Sequence, residues 1–173
     1  NGNNISDEKV LISEIVIEGW ENHPEGRKLE LAAYDSMNIK NGDIINNQIL
    51  KNDLNSIYAS GWFSGVKIKS EPGPKLVDEQ GKEQESVRLI VSVVPNPILK
   101  KVKLNPKNAI IPNEFVDNVF TKYYGTTLNL NELQNRINLI KKWYTEKGYS
   151  LSRINGPERI SGDGVVILNV EEG

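Results

Sequence analysis

The sequence predicts an α+β chain built from two tandem β-α-α-β-β modules, and three observations predict it. A short apolar pattern near the start recurs further along the chain, a glycine-aromatic pair recurs at the same offset, and each interval carries helical spacing followed by β-branched runs. The first repeat aligns Leu11-Ile12-Ser13-Glu14-Ile15-Val16-Ile17 with Ile98-Leu99-Lys100-Lys101-Val102-Lys103-Leu104, apolar at the first, second, fifth and seventh places, so the offset is 98 minus 11, or 87. The second aligns Ser60-Gly61-Trp62 with Lys147-Gly148-Tyr149, and 148 minus 61 is again 87. Two distant matches sharing one offset are the signature of an internal repeat.

The elements follow in order. The segments beginning at Leu11 and Ile98 are short, partly alternating and rich in branched residues, so each is a strand. A shorter helix is expected over Leu29 to Met37 in the first module and over Asn113 to Tyr123 in the second, where Phe115, Val119 and Phe120 form the buried side. Asn41-Gly42-Asp43 and Gly125-Thr126-Thr127 are turn chemistry before a second helix. In the first module that helix carries Ile49 or Leu50, Leu54 and Ile57 and stops at Gly61. In the second it carries Leu130, Leu133, Ile137, Ile140 and Tyr144, with Asn129 and Glu132 capping its start and Gly148 its end.

Strands are expected next at Phe63 to Lys69 and Val87 to Val94, then at Leu151 to Ile154 and Val165 to Val170. The Glu71 to Glu85 stretch, with Pro72, Gly73, Pro74 and Gly81 among charges, reads as a long mobile hairpin connection. Its counterpart, Asn155 to Gly164, is shorter, so the last strands correspond at an offset of about 77. Pro95-Asn96-Pro97 cannot continue a ladder and divides the modules, leaving little free linker and a restricted set of angles between them. The domains are therefore a linker remnant at 1–9, a first domain at 10–96 and a second at 97–173.

Bulk composition excludes several functions. The formal net charge is -2 and the pI about 5.6, so nothing draws the whole chain to nucleic acid or anionic lipid. With no Cys there is no disulfide, thiol nucleophile or zinc-thiolate site. No apolar run reaches the ~20 residues of a membrane-spanning helix. The chain has no charged-then-apolar leader, and its Asn1-Gly2-Asn3-Asn4 opening reads as that of a cut-out fragment.

The strand, the Asn41-Gly42-Asp43 turn, the capped helix and Gly61-Trp62-Phe63 before Val66-Lys67-Ile68 resemble the POTRA module, the polypeptide-transport-associated domain. The second module, with Gly148-Tyr149-Ser150-Leu151 after its long helix, is similar, and the resemblance runs from about Val10 to Val170. Within that family the chain looks most like the first two such domains of the cyanobacterial and chloroplast relatives of BamA, the branch of Toc channel-like outer-envelope proteins. The resemblance implies a three-stranded mixed sheet in each module, with the second strand at one edge, the third in the centre and two helices packed on one face. It also implies a further POTRA domain and a membrane barrel after Gly173. The Glu21 to Arg27 segment, containing His23-Pro24-Glu25-Gly26, is longer than the family's usual first connection and leaves the first helix boundary open.

No catalytic constellation stands out, and no catalytic residue, metal or cofactor is assigned. His23 is the only His and reads as a solvated loop residue, so no Ser-His-Asp arrangement can be built. Glu83, Glu85, Glu171 and Glu172 lie in charged loops or at the end, and Gly81-Lys82 lacks the first glycine of a phosphate loop. Asn4-Ile5-Ser6 matches a glycosylation acceptor of a kind common by chance. Trp143 and Tyr144 read as core packing, and Lys100-Lys101-Lys103 as the solvent side of a strand, with a lipid-headgroup patch as the alternative.

What remains is backbone chemistry. An edge strand presents unpaired N–H and C=O groups, which can accept an extended peptide as an additional strand. The candidate peptide-binding residues are Val66, Lys67 and Ile68 in the first module and Leu151, Ser152, Arg153 and Ile154 in the second. Trp62 and Phe63 are a candidate aromatic contact, one plugging the core and the other exposed. The competing reading is that Lys67, Lys69 and Arg153 guard these edges against pairing.

The expected function is non-enzymatic: the periplasmic or intermembrane-space arm of an outer-membrane assembly and translocation pore. Its expected partners are unfolded outer-membrane or translocating precursor polypeptides, its own barrel and accessory periplasmic proteins, but no nucleic acid. The alternatives are the POTRA pair of a two-partner secretion translocator and a purely structural docking scaffold.

Overall fold

The computed structural model describes residues 8–173, which leaves Asn4-Ile5-Ser6 and most of the 1–9 linker segment outside the described residues. The chain divides into two compact units at Pro95 and Asn96. In the first unit β1 (Val10–Glu18) leads to α1 (Gly26–Asp35), a two-residue β2 (Ile44–Ile45), α2 (Asn47–Ala59), β3 (Phe63–Pro72), β4 (Leu76–Val77), β5 (Glu83–Gln84) and β6 (Ser86–Pro95). The second unit contains β7 (Lys101–Asn105), α3 (Asn113–Phe120), α4 (Leu130–Glu146), β8 (Arg153–Asn155) and β9 (Val165–Glu171).

The main sheet of each unit is mixed. β6 lies parallel to β1 and antiparallel to β3, and β9 lies parallel to β7 and antiparallel to β8. The third long strand of each unit is thus central and the second lies at an edge. The first sheet gains a short fourth strand, because β2 pairs with the start of β1 in the order β2-β1-β6-β3.

Alternation puts one face of each sheet against the helices. Leu89, Val91 and Val93 of β6 are buried, as are Val166, Leu168 and Val170 of β9, the six residues related by the shorter offset. Leu29, Ala33, Ile57 and Phe63 complete the first core, and Phe120, Leu133, Ile137, Ile140 and Tyr144 the second. Leu130 belongs to the periodic stripe of α4 but sits in its first turn and is exposed.

Helix boundaries follow local chemistry. The Asn129 side chain accepts from the N–H groups of Asn131 and Glu132, and that of Asn46 accepts from Ile49, so both long helices start on an asparagine cap. They end before Gly61 and Gly148, whose φ angles of 84° and 92° are left-handed and suit only glycine without strain. The α1 helix starts three residues before the expected Leu29 because the inserted segment is itself turned: His23 N–H donates to Trp20 O, Gly26 N–H to His23 O and Leu29 N–H to Glu25 O. His23 is half-buried rather than fully solvated, and its Nδ1 accepts from the Glu25 N–H at 3.0 Å.

The Glu71 to Glu85 connection is more ordered than its composition suggests. β3 runs on to Pro72, β4 pairs with β5, and the Asp78 carboxylate accepts from the N–H groups of Gln80 and Lys82 to close the turn. Those donors, chiefly the Lys82 N–H, hold the Asp78 carboxyl below the usual carboxylate range.

Candidate functional site: the free sheet edges

Val66, Lys67 and Ile68 lie in β3, and among the described residues only β6 pairs with that strand. They stand opposite Val93, Ser92 and Val91. Val66 points into the core, Lys67 into solvent, and Ile68 is half-buried. One N–H on this strand is already occupied: the Tyr58 hydroxyl of α2 accepts from Val66 at 3.0 Å.

The second edge is shorter than expected. After α4 the chain stays turned, with Tyr149 N–H donating to Tyr144 O and Ser152 N–H to Tyr149 O, so the extended backbone begins only at Arg153. Leu151 and Ser152 are therefore not strand residues. Leu151 is 80% exposed on the turn, whereas Ser152 is buried. Arg153 and Ile154 are in β8, opposite Glu171 and Val170.

Of the Gly-aromatic pair, one ring is in the core and the other is half-buried rather than exposed. Phe63 is 2% exposed and fills the first core, while Trp62 is half-buried with the Lys28 ammonium 5.1 Å from its ring. Trp143 packs within its own unit, its ring 6.2 Å from Phe115 and 5.1 Å from Tyr144.

The first strand of each unit lies at the other side of its sheet, where the sequence pointed to no candidate residue. The start of each first strand is sealed from outside in the same way: Ile12 N–H donates to Asp43 O and Gly42 N–H to Ile12 O, while Leu99 N–H donates to Thr126 O and Gly125 N–H to Leu99 O. Downstream of that seal, no strand covers the outer side of β1 or β7 among the described residues. The partial signal was already in the repeat, which equates Ile15 to Ile17 with Val102 to Leu104.

On this side Lys101 departs from the solvent role expected of it. Its ammonium donates to both carboxylate oxygens of Asp117 in α3, at 2.8 and 3.0 Å. The Tyr124 hydroxyl donates to Asp117 at 3.1 Å and accepts from the Val102 N–H at 3.2 Å. Lys101 holds the Asp117 carboxyl below its ordinary range, Asp117 raises the Lys101 ammonium in turn, and burial pushes the Tyr124 phenol up.

Among the described residues no cluster of His, Asp and Glu could hold a metal ion, and no helix is long and apolar enough to cross a membrane. What the arrangement offers chemically is directional backbone hydrogen bonding beside apolar side chains.

The family described as "POTRA domain, ShlB-type" matches residues 98–173. The N-terminal domain of Omp85 from the thermophilic cyanobacterium Thermosynechococcus elongatus is similar, at 34% identity and a TM-score of 0.80, covering 96% of this chain and 64% of that one. POTRA1-2 of the periplasmic domain of Omp85 from Anabaena is 31% identical with a TM-score of 0.77, covering 96% of this chain and 97% of that one. Outer envelope protein 80, chloroplastic, of Arabidopsis thaliana is 26% identical over 169 residues, 96% of this chain but only 21% of the relative's length. POTRA domains of this kind are non-enzymatic scaffold domains. A free-edged mixed sheet under two helices, occurring twice, together with a 31% identical relative matched over nearly its full length, shows that the chain belongs to the POTRA domains of the Omp85 family.

Proposed function

We propose that this chain is a receiving segment for unfolded polypeptide, working in the periplasm or a plastid intermembrane space as part of an outer-membrane protein-insertion or translocation machine. Its clients are outer-membrane or translocating precursors, held by strand addition at β3 through Val66, Lys67 and Ile68 and at β8 through Arg153 and Ile154, beside the exposed Leu151. Trp62 flanks the first of these edges. The same reading gives the chain a membrane barrel and a further POTRA domain as neighbours in the parent protein, and accessory periplasmic proteins as docking partners.

One observation carries the reading: among the described residues no strand pairs with the outer margin of β3 or of β8, although the Tyr58 hydroxyl occupies the Val66 N–H. Main-chain groups there can pair with any extended segment, which suits clients of many sequences. The similarity to a domain described as periplasmic supports the location.

The test is an amide-shift titration of the labelled chain with a synthetic peptide copying the last strand of an outer-membrane barrel. Shifts at Val66 to Ile68 and Arg153 to Asn155 are expected. Shifts confined to the solvent faces of α2 and α4, or none at any strand, would overturn the reading.

A further inference from the structure

A groove lies away from both of those second-strand edges. It measures about 600 Å³ and runs along the outer margin of β7, roofed by α3. Val102, Leu104 and Val116, each buried in the core, form its floor on the helix side, and Ile167, 47% exposed, lies on the opposite face of the sheet beside Lys103, with which it is in register. Lys103 and Lys107 stand at its rim with no ion pair among the described residues, whereas the one carboxylate in the lining, Asp117, is taken up by Lys101 and Tyr124.

The two margins of the second sheet thus differ. β8 is three residues long, whereas β7 is five residues long and flanked by a groove with an apolar floor and a polar, mostly basic rim. The Val102 N–H turns outward to the Tyr124 hydroxyl, and by strand alternation the Leu104 N–H and C=O also face outward. A strand laid beside β7 would turn alternate side chains toward Val102, Leu104 and Val116. The intervening ones would lie beside Lys103 and Lys107. Apolar groups fit the first set of positions and carboxylates the second.

The corresponding groove of the first unit has different chemistry. It measures about 390 Å³, lies between Ile15 to Ile17 of β1 and α1, and has Glu30 in its lining but no lysine. The repeat has kept the place and changed the charge.

We propose that the β7–α3 groove is a binding site for an extended client segment in which apolar residues alternate with Asp or Glu, docking as an added strand outside β7. This rests on the strand-addition reading above and adds a third edge with a charge preference. The recognition is divided: backbone bonds along β7 supply binding, and the two free lysines select acidic partners.

The experiment uses the labelled 173-residue chain and three ten-residue probes: a Val/Glu alternating peptide, its Val/Lys counterpart, and the Val/Glu peptide N-methylated along one edge. The Val/Glu probe is expected to shift Lys101 to Asn105 and Asn113 to Asp117 while leaving Ile15 to Ile17 unmoved. The Val/Lys and N-methylated probes should bind at least about fivefold more weakly there, and K103E/K107E, at two exposed positions, should reverse the charge preference.

Shifts by the Val/Glu probe at Val66 to Ile68 or Arg153 to Asn155 alone would overturn this inference and leave strand addition standing. Equal binding of the N-methylated probe would mean that the lysines attract charge without strand pairing, and would also overturn it. No edge shift with any probe would remove both readings.

Discussion

Asp53 lies in α2 with only 1% of its surface exposed, and its carboxylate accepts from the Asn38 N–H at 3.0 and 3.1 Å and from Ile39 at 2.8 Å. Removing it strands two backbone donors, so Asp53→Ala is expected to cost about 2–3 kcal/mol in urea unfolding of the first unit, and Asp53→Asn clearly less. Nothing in the sequence marks this residue, because the donors it serves come from a loop that packs on the helix only in the fold. Tyr144 is the second unit's counterpart in importance. Its hydroxyl donates to Glu172 at 2.6 Å, and burial followed by that carboxylate raises the phenol well above its ordinary value of 10.0. A raised tyrosine pKa favours the folded state fully below the unfolded pKa, and that contribution is lost as pH rises from about 10 through the folded value. Alkaline unfolding of the second unit is therefore expected to steepen above pH 10, and Tyr144→Phe should reduce that steepening, leaving the part due to the raised Tyr124 phenol, while costing about 1 kcal/mol at neutral pH. The periodic stripe in α4 made Tyr144 legible as core, but its partner 28 positions later was not.

The helices were the most legible elements, because a 3.6-residue stripe and an asparagine cap are local signals. Asn129→Ala is expected to lower stability by about 1 kcal/mol in thermal unfolding. The strands were legible in identity but not in extent. β8 begins at Arg153 rather than Leu151, since the turn after Gly148 continues through Ser152, and such turns depend on carbonyls left over from the helix end. Whether an edge is open was less legible still, because a tyrosine from a neighbouring helix can occupy a strand donor. Tyr58→Phe tests this at β3: freeing the Val66 N–H should strengthen barrel-strand peptide binding severalfold by amide-shift titration, while stability changes by no more than about 1 kcal/mol. Weaker binding in that variant would mean that the Tyr58 hydroxyl contacts the peptide rather than competing with it.

Across the whole chain, the repeat was visible because two matches shared the offset of 87, and the same offset relates the first-strand residues Ile12 and Leu99, each tied by two backbone bonds to the turn after its first helix. The internal repeat and the similarity to cyanobacterial Omp85 domains are independent routes to one architecture. Repetition has preserved the sheet order and the groove beside each first strand while changing the length of each edge and the charge around it. Strand addition at these edges is the central claim, and hydrogen exchange reads it most directly. Amide exchange of the whole chain would be followed with and without saturating unfolded outer-membrane protein. Slowed exchange confined to the outward-facing amides of β3, β7 and β8 is the expected result; unchanged exchange at all three strands, with protection only on the helices, would contradict it.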